Sequence, residues 1–490
     1  MTKRLLILLI TALALASCQI ARPTETPVRI PQEQKANPEL LEITLGFVES
    51  FEPHWLWLPK SLEPFSPIDL AFESLLSLSP TGTLEPNLAH FEISPEGAAI
   101  TFHLKPGIFW HSGKQLTAFD AATFLEAAFS PERHGPLSSK STLLESIEVL
   151  SEQSFLVTLK EPDCSLISDM GLLRLTRPLS FPSLPPLDRL EGTGPFRITK
   201  WGESEIILEN FQAYPGEKWP SQKVRFRRYG SGEEVLRASR EGEIEAFILK
   251  PGEGTPPKEA VRLLSPELYF LAFNLKDPFL KDAEVRKALA MAVNREELLR
   301  EVFNGEGILA RGPFLPGYLE EEPSLPPFNP AEAQKLLKER GWLKESVAPK
   351  IGIMVNGENK LREAIALRVA RYYRAIGIDA EVWVMEWGNF LEALFGGYFQ
   401  VAVFSMPLGP DLDLSPFFSS KGIFNFSSVQ EPEVDELLFM GLKVAGCDPQ
   451  TRRKFYSSLA FTLTELKPWD CLFFPYYFLG PEELSFLKQS

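Results

Sequence analysis

Cysteine and histidine are scarce in this chain of 490 residues: four of the former and five of the latter. They are scattered, with no pair at the spacing of a zinc site, which argues against a metal-organised fold. There is no Gly-x-Ser-x-Gly elbow, no His-Glu-x-x-His and no phosphate-cradling glycine loop, so the usual hydrolase and nucleotide signatures are missing. Basic charge is in deficit. The net charge of -15 argues against nucleic acid or an anionic lipid surface as the main partner and is read as solubility. Long apolar runs are missing as well. Leu5 to Ala16 is short of the roughly 20 residues a spanning helix needs, and no later segment approaches even that.

What the N-terminus does have is a signal-peptide pattern. Lys3 and Arg4 precede the apolar stretch, and Leu15-Ala16-Ser17-Cys18 places small residues and a cysteine at the cleavage point. This ending looks like a lipobox, with Cys18 as the lipidated residue and residues 19–40, rich in proline and polar groups, as a tether. The chain is then expected on the periplasmic or extracellular face, anchored to the membrane through Cys18. The three remaining cysteines leave at least one thiol unpaired. Cys447 and Cys471, which flank one expected helix, are a candidate pair. His54 and His111 have no second ligand at metal spacing, and a hydrogen-bonded structural histidine is the expected role.

Aromatic residues are plentiful: 37 phenylalanines and nine tryptophans, enough for several cores, as the length also suggests. Between Ile68 and Asp120 the pattern is especially ordered. Ile100, Phe102 and Leu104 alternate with Thr101, His103 and Lys105, as in a half-buried strand. Ser94-Pro95-Glu96-Gly97 and Pro106-Gly107 have turn chemistry, and Thr117 stands as an N-cap. Further on, Leu268 to Asn274 reads as a strand, followed by a helix with a basic-polar edge through Val285 to Ala290 and Val293 to Glu296. Asn329-Pro330 opens another helix. Leu361, Ile365, Val369, Tyr372 and Ile376 mark one buried helix face. Gly377 stops that helix, and Ile378 to Val384 alternates as a strand, which together make the unit of an α/β lobe.

The ordered phrases Leu84-Glu85-Pro86-Asn87-Leu88-Ala89, Trp110-His111-Ser112-Gly113, Leu116-Thr117-Ala118-Phe119-Asp120, Gly192-Thr193-Gly194-Pro195 and Val285-Arg286-Lys287-Ala288-Leu289 resemble the family 5 extracellular solute-binding proteins. The likeness runs from about residue 42 to 485. It implies an α/β two-lobed periplasmic-binding-protein fold (type II, a hinged clamp) with an extra domain inserted in the first lobe. Residues 41–66, 191–268 and 470–490 would form the first lobe, 67–190 the additional domain and 269–469 the second lobe. It also implies capture of a peptide or similar small solute for an ABC permease and ATPase, by a monomer without catalysis or cofactor. Segment order offers Trp57, Tyr269, Phe404, Met406 and Tyr476 as cleft residues. Met406 falls where peptide-binding members carry an aspartate for the peptide's amino group, while Asp411 and Asp413 are expected to cap the following turn. A non-peptide solute, a sensor or adhesin role and a secreted hydrolase are the alternatives.

Overall fold

The structure, a computed structural model, describes residues 42–48, 66–79, 82–177, 186–216, 221–343, 348–409, 411 and 413–480. Cys18, the tether, His54 and Trp57 lie outside them. Ten strands run as one sheet from Asp379–Met385 at one edge to Phe196–Trp201 at the other, and two more pair along its middle. That middle is the strand Trp469–Gly480. Its first half pairs antiparallel with Glu267–Phe273, and its second half with Ala246–Leu249 and Val261–Leu264. The sheet therefore serves two lobes. Around one half are Ile43, Phe196, Leu208 and Phe226. The other half is covered on both faces, by a core around Tyr269, Val369 and Phe473 and another around Phe270, Tyr456 and Trp469. A separate four-stranded antiparallel sheet has its own core around Phe102, Phe124, Phe155 and Trp110.

Local chemistry explains the elements. Ile100, Phe102 and Leu104 are buried while Thr101 and His103 are half-buried, the alternation of a one-sided strand. Thr117 and Asp120 exchange bonds as a capping box at the start of Ala118–Phe129. Asn329 accepts from the Glu332 amide, with Pro330 next to it. Lys360–Ala375 buries Ile365, Val369 and Tyr372. Gly377, at φ +95°, lets the chain turn back so that Asp379–Met385 pairs parallel with Lys350–Asn356. The Gly192-Thr193-Gly194 turn is needed for contact: a Cβ at Gly192 would come within 2.0 Å of the Ala71 carbonyl.

Two expectations are corrected. The stretch from Val285 to Glu296 is not one helix but two, Ala283–Ala292 and Arg295–Phe303, the second capped by Asn294. Nor are its arginines an exposed edge. Arg286 is 1% exposed and donates to the carbonyls of Leu280 at 2.6 Å and Lys281 at 3.0 Å, and through Nε to Leu466 at 2.9 Å. Arg295, equally buried, pairs with buried Asp470 and donates to Ala290. The cysteines also pair otherwise. Cys447 is bonded to Cys164, 283 residues away, and Cys471 is a buried free thiol.

That disulfide joins two bodies. Cys164 opens the helix Cys164–Leu172 of the four-stranded unit. Cys447 lies in the turn between Pro432–Leu442 and Pro449–Leu466, helices rooted in the second lobe through Val434, Leu438 and Leu459. Val444 and Cys447 are buried in the four-stranded unit's core. Lys443 pairs with Glu161 at 3.1 Å, and Arg453 donates to Thr83 at 2.8 Å.

His111 fastens the same unit to the first lobe. Its Nδ1 accepts from the Gly192 amide at 3.2 Å, so Nε2 carries the proton and donates to the Gly194 carbonyl at 3.1 Å. Burial pushes the imidazole from 6.5 down to about 4, Arg197 adding to this and the Gly194 bond opposing it. The ring is thus neutral when folded and takes up a proton first in the unfolded chain. Its stabilisation is full above pH 6.5 and is lost as pH falls toward 4, about 3 kcal/mol in all. The stability of His111→Gln, followed from pH 7 to 4, is expected to fall less steeply than that of the parent; parallel curves would refute the assignment. Asp470→Ala leaves Arg295 buried without its counter-charge and is expected to cost about 3–5 kcal/mol, read as a lower urea midpoint.

Candidate functional site

The strand Val401–Pro407 alternates between two cores: Val401 and Val403 face one, Ala402, Phe404 and Met406 the other. Met406 lies opposite Leu268, and the chain leaves the sheet where the Leu408 amide donates to Pro266. Past this point two aspartates shape the backbone. Asp411 accepts from the Asp413 amide at 2.9 Å, and Asp413 from the Ser415 amide at 2.8 Å, which starts the short helix Ser415–Phe418. They cap this turn as the sequence suggests. They also line a cavity of about 240 Å³, with Phe314, Tyr318, Met406 and Phe417 among its walls.

Charge is concentrated here. Arg452 holds Asp411 in a two-pronged pair at 2.9 and 3.0 Å, both side chains 10% exposed. Burial pushes the Asp411 carboxyl up, but Arg452 outweighs it and holds it below the usual carboxylate range. Burial raises Asp413, only partly offset by its bonds to Ser415. The four-stranded unit reaches the same place. Gly82 lies against the Tyr318 ring, and Lys140 pairs with Asp169 at 3.2 Å. Burial lifts Asp169 to about 6 against the pull of Lys140, with Asp411 adding to the rise.

The residues offered by the sequence separate. Met406 is in the cavity wall. Phe404, on the same face of the strand, is taken up by packing: Arg362 sits 4.6 Å from its ring centre, with Phe390 and Trp387 stacked alongside. Tyr269, offered as a cleft residue, lies in the core. It is 2% exposed and held between Phe303 and Phe473. Tyr476 is half-buried where the long strand passes between lobes, packed against the core that includes Val235, Phe247 and Phe478 and outside the cavity lining. Sequence reasoning missed Tyr318 and Arg452. The turn Leu315-Pro316-Gly317, with Gly317 at φ +81°, signals only a change of chain direction before Tyr318. Arg452 had none, since its partner is 41 residues away.

Among known proteins, the chain is 25% identical over 434 residues to the oligopeptide-binding protein AppA of Bacillus subtilis (strain 168), covering 80% of this chain and 78% of that one. The structure of that protein with a nonapeptide superposes with a TM-score of 0.67 over 90% of this chain and 94% of its own, at 21% identity. NikZ from Campylobacter jejuni, in complex with Ni(L-His), gives a TM-score of 0.70 at 20% identity, covering 90% and 94%. Heme-binding protein A of Haemophilus influenzae is 24% identical over 450 residues, 79% of this chain and 78% of its own. The fold is thus the two-lobed one of periplasmic binding proteins. The description of bacterial extracellular solute-binding proteins, family 5 (middle part), matches residues 83–425, well over half of the chain, and the chain belongs to that family.

Proposed function

We propose that this protein is the peptide-capturing receptor of an ABC importer, anchored by a lipid on Cys18 and delivering its solute to a membrane permease and ATPase. The observation that carries this reading is the cavity at the end of Val401–Pro407. It lies in the second lobe where the four-stranded unit meets it, and its apolar walls are punctuated by two carboxylates. Its lining is all from the second lobe, so a solute seated there lies beside the contact with the four-stranded unit, and a shift of that contact on binding is the state a permease reads. Residues 41–66, 191–268 and 470–490 act as the first lobe, 67–190 as its additional domain and 269–469 as the second lobe. Met406 is the candidate side chain retained in the wall, and Trp57 remains a candidate from segment order alone. The protein acts as a monomer and performs no turnover. Similarity to the oligopeptide-binding protein AppA supports the peptide class. A non-peptide solute is the second reading, favoured by the methionine in the wall and by relatives named for haem and nickel–histidine.

Native mass spectrometry on the chain from Gln19 onward, purified from a peptide-rich medium, is expected to show added masses spaced by amino-acid residues. One discrete non-peptide mass, or none after challenge with mixed peptides, would refute the peptide class. The Cys164–Cys447 bridge restrains the parting of the two bodies, so reduction, or Cys164→Ser with Cys447→Ser, is expected to speed release of retained solute and to lower stability by about 2–5 kcal/mol. Equal release rates in the two states would rule out that restraint.

A further inference from the structure

Two of the chain's five histidines meet where their spacing in sequence gives no hint of it. His90 and His103 stand directly opposite each other on the antiparallel strands Ala89–Ile93 and Ala99–Leu104. Directly opposed residues hold their Cβ atoms about 5 Å apart on one face of a sheet. That face is the outer one. Ile100, Phe102 and Leu104 turn inward to the core of the four-stranded unit. The period of two therefore turns His103 outward, half-buried, with exposed His90 beside it. On its other flank the strand Ser154–Leu159 puts Ser154 opposite His103, and Nδ1 of the ring lies 2.9 Å from the serine Oγ. A hydroxyl accepts as well as donates, and with Nδ1–H donating to Oγ, Nε2 keeps a free lone pair. Metal-ligating histidines are held in this way, by a hydrogen bond from the ring nitrogen that does not ligate. Local charge does not oppose a cation: Glu92 is exposed on the same face, and Lys105 donates to the Pro86 carbonyl at 3.4 Å.

We propose that His90 and His103 form a two-imidazole site for a divalent transition-metal ion of the zinc and copper(II) class. Metal–nitrogen bonds of about 2 Å place two ligating nitrogens about 3 Å apart. Imidazole rings on opposed Cβ atoms reach that separation by rotation about their side-chain bonds. Imidazole nitrogen suits these ions and offers little to magnesium or calcium, which take oxygen. Among the described residues no three histidine, cysteine, aspartate or glutamate side chains converge. The chain thus supplies two ligands, and water or an exchangeable donor from outside completes the shell. A bound ion braces the two strands it bridges. The site is on the four-stranded unit, apart from the residues that line the cavity, and it stands independently of the solute-receptor reading.

The test uses the chain from Gln19 onward, as parent, His90→Ala, Ser154→Ala and His134→Ala. Each is titrated calorimetrically with zinc chloride, and the parent and His90→Ala are loaded with copper(II) for pulsed electron paramagnetic resonance. The parent is expected to bind zinc and to melt at a higher temperature with it than without, because the ion binds the paired strands in preference to the unfolded chain. His90→Ala changes an exposed side chain and leaves the fold intact. It is expected to weaken zinc binding at least tenfold and to abolish the rise in melting temperature. His134→Ala, at an exposed turn, is expected to change neither. Ser154→Ala frees the His103 ring and is expected to weaken zinc binding about tenfold. The copper spectra are expected to show two imidazole ligands in the parent and one in His90→Ala. Absence of zinc binding by the parent, an affinity unchanged in His90→Ala or in Ser154→Ala, or a single imidazole in the parent spectrum overturns the site. Zinc held through a captured solute would survive His90→Ala, and so counts against it.

Discussion

Everything in this molecule hangs on one strand being shared. Trp469–Gly480 is hydrogen-bonded to the second lobe along its first half and to the first lobe along its second. Twelve extended residues span about 40 Å, so one backbone segment reaches both lobes. Pro475 sits at its middle, opposite Gly307, where the absence of an amide donor weakens the ladder. At this strand the lobes are joined along a line rather than across a face, the geometry of a hinge, with the Cys164–Cys447 bridge as a second tie.

A line of attachment needs stiff ends, and buried charge supplies them. Arg295 grips Asp470 at the start of the shared strand, and Arg286 ties the Leu466 carbonyl, just before that strand, to the helix Ala283–Ala292. Such groups are poor sources of net stability but strong sources of geometry, because nothing else satisfies them once they are out of water. The same holds at the cavity, where Arg452 pairs with Asp411 and Lys140 with Asp169.

Much of the fold was legible because its signals are local. Helix periodicity through Leu361 to Ile376, the Gly377 stop, the Thr117 cap and the Asn329-Pro330 start depend on neighbours within a few residues. What escaped depends on distance in sequence. A buried arginine that caps a helix from 180 residues away has the same local pattern as an exposed one, so Arg286 and Arg295 read as a polar edge. Tyr269 read as a cleft residue because its strand crosses between lobes, yet on a strand buried on both faces an aromatic side chain is core whichever way it points. The site was legible only in part: Met406 came from segment order, while Tyr318 and Arg452 emerge only once the chain is folded.

The disulfide carries a consequence for biogenesis. A family of extracellular proteins is exported, and a chain that emerges N-terminus first presents Cys164 long before Cys447, which follows 283 residues later. For that interval the thiol has no native partner, and Cys471, 24 positions further on, arrives as a competitor. The native bond can form only after Cys447 has emerged, and burial of Val444 and Cys447 in the four-stranded core favours that pairing over one with Cys471.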